Sequence, residues 1–373
     1  MPLQHVPIHD VHYLSLGRHG DLRNDLGYPL FWTGSGVGLD YDGAELWLEI
    51  EASYNEYEPW ISVDVDGTQV SRLALDRGSN DVCLFRGLDT GTIKHVRVLK
   101  ETQFMHEDPS QTCIVRGLRC DDGQFHPLAS PTLRLEFVGD SITSGEGLEG
   151  ARTTEHYCSM IFGARHGYPC LVADEMNADF CVISQAGWGI VCDCENNPHC
   201  TIPSIYERVC APARGKTNAE LQSDVPYRFD DWPADAVIIN LGTNDATAFL
   251  WHQWTDPSTG EQFELRTGKD HEPLPEDLEF IETAVNRFLR TVRKRNPHAV
   301  ILWCYGMLGN RLEPILRRAV EHHATSTGDG LVRYVPLPAC STDDLGACQH
   351  PGRVCHQSAA AILVRILREM LHR

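Results

Sequence analysis

The stretch Leu133-Arg-Leu-Glu-Phe-Val-Gly-Asp-Ser-Ile-Thr-Ser-Gly-Glu-Gly147 decides how the chain is read. Residues 133–138 form an apolar run that a glycine ends, the pattern of a buried strand. The strand delivers one hydroxyl, Ser141, to the turn that follows it. In an open α/β sheet the carboxyl ends of strands are where ligands bind. Gly139 allows a tight path, and Gly145 and Gly147 keep the following loop small. A serine so placed is a candidate nucleophile wherever a base reaches it.

Working outward, the character of the chain changes near residue 130. Upstream, short alternating segments follow one another: Glu45-Leu-Trp-Leu-Glu-Ile-Glu51, Ile61-Ser-Val-Asp-Val-Asp66, Lys94-His-Val-Arg-Val-Leu-Lys100 and Cys113-Ile-Val-Arg-Gly-Leu-Arg119. Each alternates as a half-buried strand does, and Asp66-Gly67 is a hairpin-type turn. Their number and spacing predict a β-sandwich of the jelly-roll kind over 1–130. Downstream, apolar runs at 180–184, 236–241, 300–304 and 332–336 alternate with helical segments at 278–295, 311–325 and 358–372. That order predicts a mostly parallel, doubly wound α/β domain over 131–373, with the boundary in 127–131. The stretch 192–230 has little periodicity, and long loops of this sort often shape a site.

Composition narrows the function. The 373 residues carry 32 Lys and Arg against 52 Asp and Glu, a net charge of −20. This argues against a nucleic-acid or anionic-membrane partner. No window approaches a membrane-spanning run, and the start has neither a basic flank nor an apolar signal core. A cytoplasmic location is the expectation. The 14 cysteines are then expected to be reduced thiols. Cys192, Cys194, His199 and Cys200 contain metal-ligand residue types, but their spacing fits no common zinc module. A structural role is expected for them, and no metal or organic cofactor is expected for the protein.

Four separated blocks supply complementary chemistry. They are Gly139-Asp-Ser-Ile-Thr143, Ser184-Gln-Ala-Gly-Trp-Gly189, Asn240-Leu-Gly-Thr-Asn-Asp245 and His350-Pro351. Three follow predicted strands, so they would meet on one edge of the sheet. A hydroxyl nucleophile needs a base that titrates near neutrality, and His350 fits, since it precedes the last helix. His356 is the structural histidine of the pair. The oxyanion of acyl transfer needs fixed donors, which Gly189 N–H and the Asn244 amide can supply. Asn244 could also cap a helix. Asp245 is expected to support its loop, and Asp140 to bond neighbouring backbone. Trp188 is expected to wall the acyl pocket or offer a flat stacking surface to substrate, with a core role as the plainer alternative. Trp251 and Trp254 flank the Asn244 loop and could line a substrate cleft.

These blocks resemble the SGNH (GDSL-like) hydrolase superfamily, whose four marker residues fall here on Ser141, Gly189, Asn244 and His350. Gly187 is a second candidate for the glycine position; alignment on the last glycine selects Gly189. The preceding sandwich, the Gly-Trp-Gly block, Phe31-Trp-Thr-Gly-Ser-Gly36, Val63-Asp-Val-Asp-Gly67 and Thr153-Thr-Glu-His-Tyr157 resemble carbohydrate esterase family 2. The resemblance implies a flavodoxin-like α/β/α catalytic domain behind a jelly roll. It also implies a serine esterase removing O-acetyl groups from xylo- or manno-oligosaccharides. The superfamily usually places an aspartate three residues before the histidine, where this chain has Ala347. A Ser141–His350 dyad with a backbone carbonyl holding the ring is the expectation; Asp343 or Asp344 as a third member is the alternative. Other small esters, or carbohydrate binding without catalysis, remain as rival functions.

Overall fold

A computed structural model describes residues 3–21 and 26–372. Contacts divide the chain into two units. The first comprises 1–132 together with two later segments, 156–165 and 207–227; the second contains the rest. A single cut near 130 therefore misses two excursions. Over half of the poorly periodic 192–230 stretch packs with the first unit, leaving 192–206 and 228–230 with the second.

The first unit is built on two antiparallel sheets. One runs Gln4–Pro7, Thr112–Cys120, Glu45–Ser53, Gly78–Arg86, with Tyr28–Pro29 also on Thr112–Cys120. The other runs Phe125–His126, Gly36–Tyr41, Lys94–Lys100, Trp60–Val65, Thr68–Ala74, with Leu14–Leu16 against Gly36–Tyr41. The alternation of Glu45–Ser53 becomes burial: Leu46, Leu48, Ile50 and Ala52 enter the core, facing Val63 and Val98 of the other sheet. Asp66 and Gly67 close their hairpin with positive φ at both positions, the turn geometry that matches strand twist.

The second unit holds five parallel strands: β1 (Leu133–Gly139), β2 (Ala178–Ser184), β3 (Ala236–Asn240), β4 (Val300–Tyr305) and β5 (Val332–Pro336). Their order is β2-β1-β3-β4-β5, the flavodoxin-like order with its switch point between β1 and β3. All residues of β3 and β4 are buried, as expected of strands covered on both faces. In register, Gly139 lies opposite Ser184 of β2 and Asn240 of β3. Three chemical blocks thus leave the sheet at one level. No helix among the described residues is long and apolar enough to cross a membrane.

Helices Pro275–Arg295 and Glu313–Thr327 fall close to their expected places. The last one, Arg353–Met370, starts five residues before Ser358. Nothing from 353 to 357 opposes helical backbone, and Cys355 and His356 already face inward there. His356 is fully buried, and its Nδ1 accepts the backbone N–H of Tyr168 (3.1 Å), the first residue of helix Tyr168–Met176. An otherwise orphan helix-start donor is thereby satisfied. The two rings also stack, with centroids 5.9 Å apart.

Burial first, and then the nearby His350, lowers the proton affinity of His356 to a pKa of about 3. The folded protein therefore keeps this ring neutral where the unfolded chain protonates it. The stability it contributes is full above the unfolded value near 6.5 and is lost as pH falls toward the folded value. Between pH 6.5 and 5 the loss should approach about 1.4 kcal/mol per unit. His356→Asn, whose Oδ1 can still accept the Tyr168 N–H, should unfold with a shallower pH dependence. Parallel denaturation midpoints at pH 7 and pH 5 check this.

Candidate active site

Ser141 opens a one-turn helix, Ser141–Ser144, directly after β1. Asp140 caps it, its carboxylate accepting the Ile142 N–H at 3.0 Å. The sequence thus spends Asp140 on local backbone, which points the next hydroxyl out of the turn. Burial raises the Asp140 pKa to about 7 against the pull of this bond.

Ser141 Oγ lies 2.9 Å from His350 Nε2, across 209 residues of sequence. His350 Nδ1 lies 3.0 Å from the carbonyl oxygen of Cys348. A carbonyl can only accept, so Nδ1 carries the proton and Nε2 is left as the acceptor for the serine hydroxyl. The tautomer required of a general base is set by this one contact. It is made possible by backbone: Cys348 (φ 50°) and Gln349 (φ 55°) are both left-handed. Side chains rarely adopt that conformation, at a cost of order 1 kcal/mol or more each, and such strain gathers at functional sites. Here it turns the carbonyl back beneath its own histidine.

Neither aspartate of the histidine block reaches the ring. Asp343 is 94% exposed, with Oδ1 3.7 Å from the Arg152 guanidinium. Asp344 Oδ2 accepts the Ser341 hydroxyl at 2.7 Å.

Blocks two and three are joined by two hydrogen-bonded contacts. Asn244 Nδ2 donates to the Trp188 carbonyl at 2.9 Å, leaving its second N–H for a ligand. The helix Thr243–Ala248 is preceded by Gly242, so Asn244 is not its cap. Asp245 is fully buried, and its carboxylate accepts the N–H groups of Ile190 (2.9 and 3.0 Å) and Val191 (2.9 Å). Burial raises its pKa to about 6 although these bonds pull the other way, so it is largely ionised at neutral pH. Gly189 has to be glycine: a Cβ there would sit 2.5 Å from Asp245 Oδ2 and 2.3 Å from the Cys192 carbonyl. Its own carbonyl accepts the Ile202 N–H at 3.0 Å. The Gly189 backbone is thereby fixed from both sides.

Trp188 is only 8% exposed, which suits a wall better than an open stacking face. Trp251, 43% exposed, stacks on His252 with centroids 5.2 Å apart, and Trp254 meets His199 edge-on at 5.5 Å. The residues of the cysteine-rich run have separate partners. Asn197 Nδ2 donates to Cys200 Sγ at 3.4 Å, and His199 pairs with Glu261 at 3.1 Å. Burial, helped by Asp193 and Glu195, pushes the Cys194 thiol up to about 11, and Cys192 and Cys194 are free thiols. Among the described residues no group of three or more His, Cys, Asp or Glu side chains is placed to hold a metal ion.

One cysteine pair departs from the expectation of reduced thiols. Cys340 and Cys355 are disulfide-bonded, with Cα atoms 5.6 Å apart and a sequence separation of 15. The loop they close carries both Cys348 and His350. Sequence reasoning also passed over Glu146, a buried carboxylate in the serine loop close to His350. Its one written signal was its position between Gly145 and Gly147.

Comparison with known proteins bears on the family and the fold. A family model described as GDSL-like lipase/acylhydrolase matches residues 137–360. An acetyl xylan esterase, Est2A, from the rumen bacterium Butyrivibrio proteoclasticus superposes with a TM-score of 0.96 at 36% identity, covering 99% of this chain and 100% of that one. A family two carbohydrate esterase from Clostridium thermocellum, solved with cellohexaose, gives a TM-score of 0.79 at 24% identity over 96% of this chain and 99% of that one. The cellulase/esterase CelE of Acetivibrio thermocellus is 25% identical over 360 residues, 94% of this chain. The chain spans 39% of the length of that curated relative. The chain thus belongs to the GDSL-like lipase/acylhydrolase family, and its fold is that of the family two carbohydrate esterases.

Proposed function

We propose that the protein is a serine esterase that hydrolyses O-acetyl esters of carbohydrates, acetylated xylo- or manno-oligosaccharides being the substrate class. The observation that carries this reading is the 2.9 Å contact of Ser141 Oγ with a His350 ring whose far nitrogen is held by a backbone carbonyl. The name of the 36% identical relative, an acetyl xylan esterase, supports the acyl group and the sugar.

Ser141 Oγ attacks the acetyl carbonyl while His350 Nε2 takes its proton. The carbonyl oxygen becomes an oxyanion and receives hydrogen bonds from Gly189 N–H and Asn244 Nδ2–H. Collapse expels the sugar oxygen, which leaves as an alcohol with the proton from Nε2, and acetyl-Ser141 remains. His350 then deprotonates a water that attacks the acetyl group; acetate departs and Ser141 recovers its proton. The base works as a dyad member: the Cys348 carbonyl orients it in place of an aspartate. Trp188 walls the acyl side of the site.

Turnover of a chromogenic acetate ester and of defined acetylated oligosaccharides tests the assignment. Ser141→Ala should lower kcat by at least about 10⁴-fold. Equal rates in both proteins would remove the esterase reading and leave a carbohydrate-binding protein. Asn244→Ala should lower kcat about 10²- to 10³-fold with little change in KM, since its amide acts on charge that develops only in the transition state. The double variant Asp343→Ala, Asp344→Ala should keep kcat within about twofold, since neither carboxylate reaches the His350 ring. A large fall with folding intact would count against the dyad.

A further inference from the structure

The histidine block brings no acid to its own imidazole, yet an acid faces the ring from the serine loop. Glu146 lies five residues beyond Ser141. Its side chain is 6% exposed, and its Oε1 is 3.7 Å from His350 Nδ1. The backbone explains this inward aim. Gly145 (φ 77°) and Gly147 (φ 80°) are left-handed on either side of it, and the Glu146 N–H donates to the Ser141 carbonyl at 3.0 Å. At Gly147 the loop passes so close to the histidine block that a Cβ would sit 2.5 Å from the Ala347 carbonyl and 2.6 Å from His350 Cβ. The Ala347 N–H donates to the Gly147 carbonyl at 3.0 Å, tying the two loops together. The Gly-Glu-Gly sequence therefore wedges one carboxylate beside the base.

We propose that Glu146 is the electrostatic partner of His350: a positioning residue whose carboxylate steadies the imidazolium formed when Ser141 gives up its proton. This rests on the esterase reading and deepens it. At 3.7 Å the carboxylate is too far for a hydrogen bond, and the Cys348 carbonyl takes that bond instead. The two tasks of a triad acid are thus divided. The carbonyl fixes ring and tautomer but has no net charge, whereas Glu146 supplies charge without fixing the tautomer. An opposite charge at this range typically favours the protonated ring by one unit or more.

Other charged groups face the pair. His356, on the last helix, stays neutral throughout the working range. Asp140 and Cys194 both feel the Glu146 carboxylate, which makes each harder to ionise. Asp140, raised to about 7, changes its own charge near neutrality. The effect of Glu146 is therefore read as a difference between variant and wild type.

The test is an NMR titration of the His350 imidazole in wild type, Glu146→Gln and Glu146→Leu, with the signal assigned by its loss in His350→Gln. The kcat–pH profiles of the same proteins are measured beside it. With the charge removed, the His350 midpoint should fall by about one unit, carrying the acid limb of the profile to lower pH. Plateau kcat should fall about tenfold, the equivalent of one unit of lost imidazolium stabilisation. Glu146→Asp, which keeps the charge but draws it back, should give a smaller step in both. An unmoved midpoint in the neutral variants overturns the proposal whatever the rate does, because altered packing alone would lower kcat without moving it. Should the neutral variants fail to fold, an unmoved midpoint in Glu146→Asp overturns it equally. A wild type without acetate turnover would overturn the esterase reading instead, while the imidazole titration would still report on Glu146.

Discussion

Everything at the site depends on the register of β1 between its two parallel neighbours. Gly139 is level with Ser184 and with Asn240, so the serine, glycine and asparagine blocks all start from one line across the sheet. A slip of one residue in any of the three strands would turn its inward side chains to the opposite face. Close packing on both faces opposes this, since Phe137, Ile183 and Ile239 would each have to fit a space shaped for another side chain. The switch point of the strand order lies between β1 and β3, and Ser141 and Asn244 follow those two strands.

From that line outward, backbone groups do most of the arranging. The Asp245 carboxylate gathers the N–H groups after Gly189, and the Trp188 carbonyl orients the Asn244 amide. The Cys348 carbonyl sets the His350 tautomer, and Asp140 sets the turn that begins at Ser141. Each contact uses a main-chain group that would otherwise need a partner in the interior. The same contacts that satisfy buried backbone therefore also fix where Ser141, Asn244 and His350 stand.

Much of this was legible in the chain, and what was not has a common cause. Alternation in 45–51 and the Asp66-Gly67 turn announced the sandwich because side-chain period and turn chemistry are local properties. The apolar runs and the serine, glycine, asparagine and histidine blocks announced the parallel sheet and its edge for the same reason. Two excursions, 156–165 and 207–227, were invisible because they belong to the first unit through tertiary packing, without a periodic pattern. A backbone carbonyl at the His350 ring was the expectation, with the aspartates at 343 and 344 as the alternative, but which carbonyl it is could not be read, because Cys348 reaches the ring through left-handed backbone at 348 and 349. Backbone conformation at non-glycine residues has no reliable mark in sequence. Glu146 was hidden differently, since a lone glutamate in a loop usually points to water, and its direction follows from the close approach of the loop at Gly147.

The Cys340–Cys355 bond encloses His350 together with the Cys348 carbonyl that its ring contacts. In the chain-entropy view, a covalent ring of this size removes about 3 kcal/mol of freedom from the unfolded ensemble. The benefit falls on a segment whose regular structure is limited to short 3₁₀ turns, between β5 and the last helix. Fraying of the carboxyl terminus can therefore proceed some way along that helix while the ring keeps imidazole and carbonyl as neighbours. The most strained backbone of the site is thus insured against local melting by a bond remote from the chemistry.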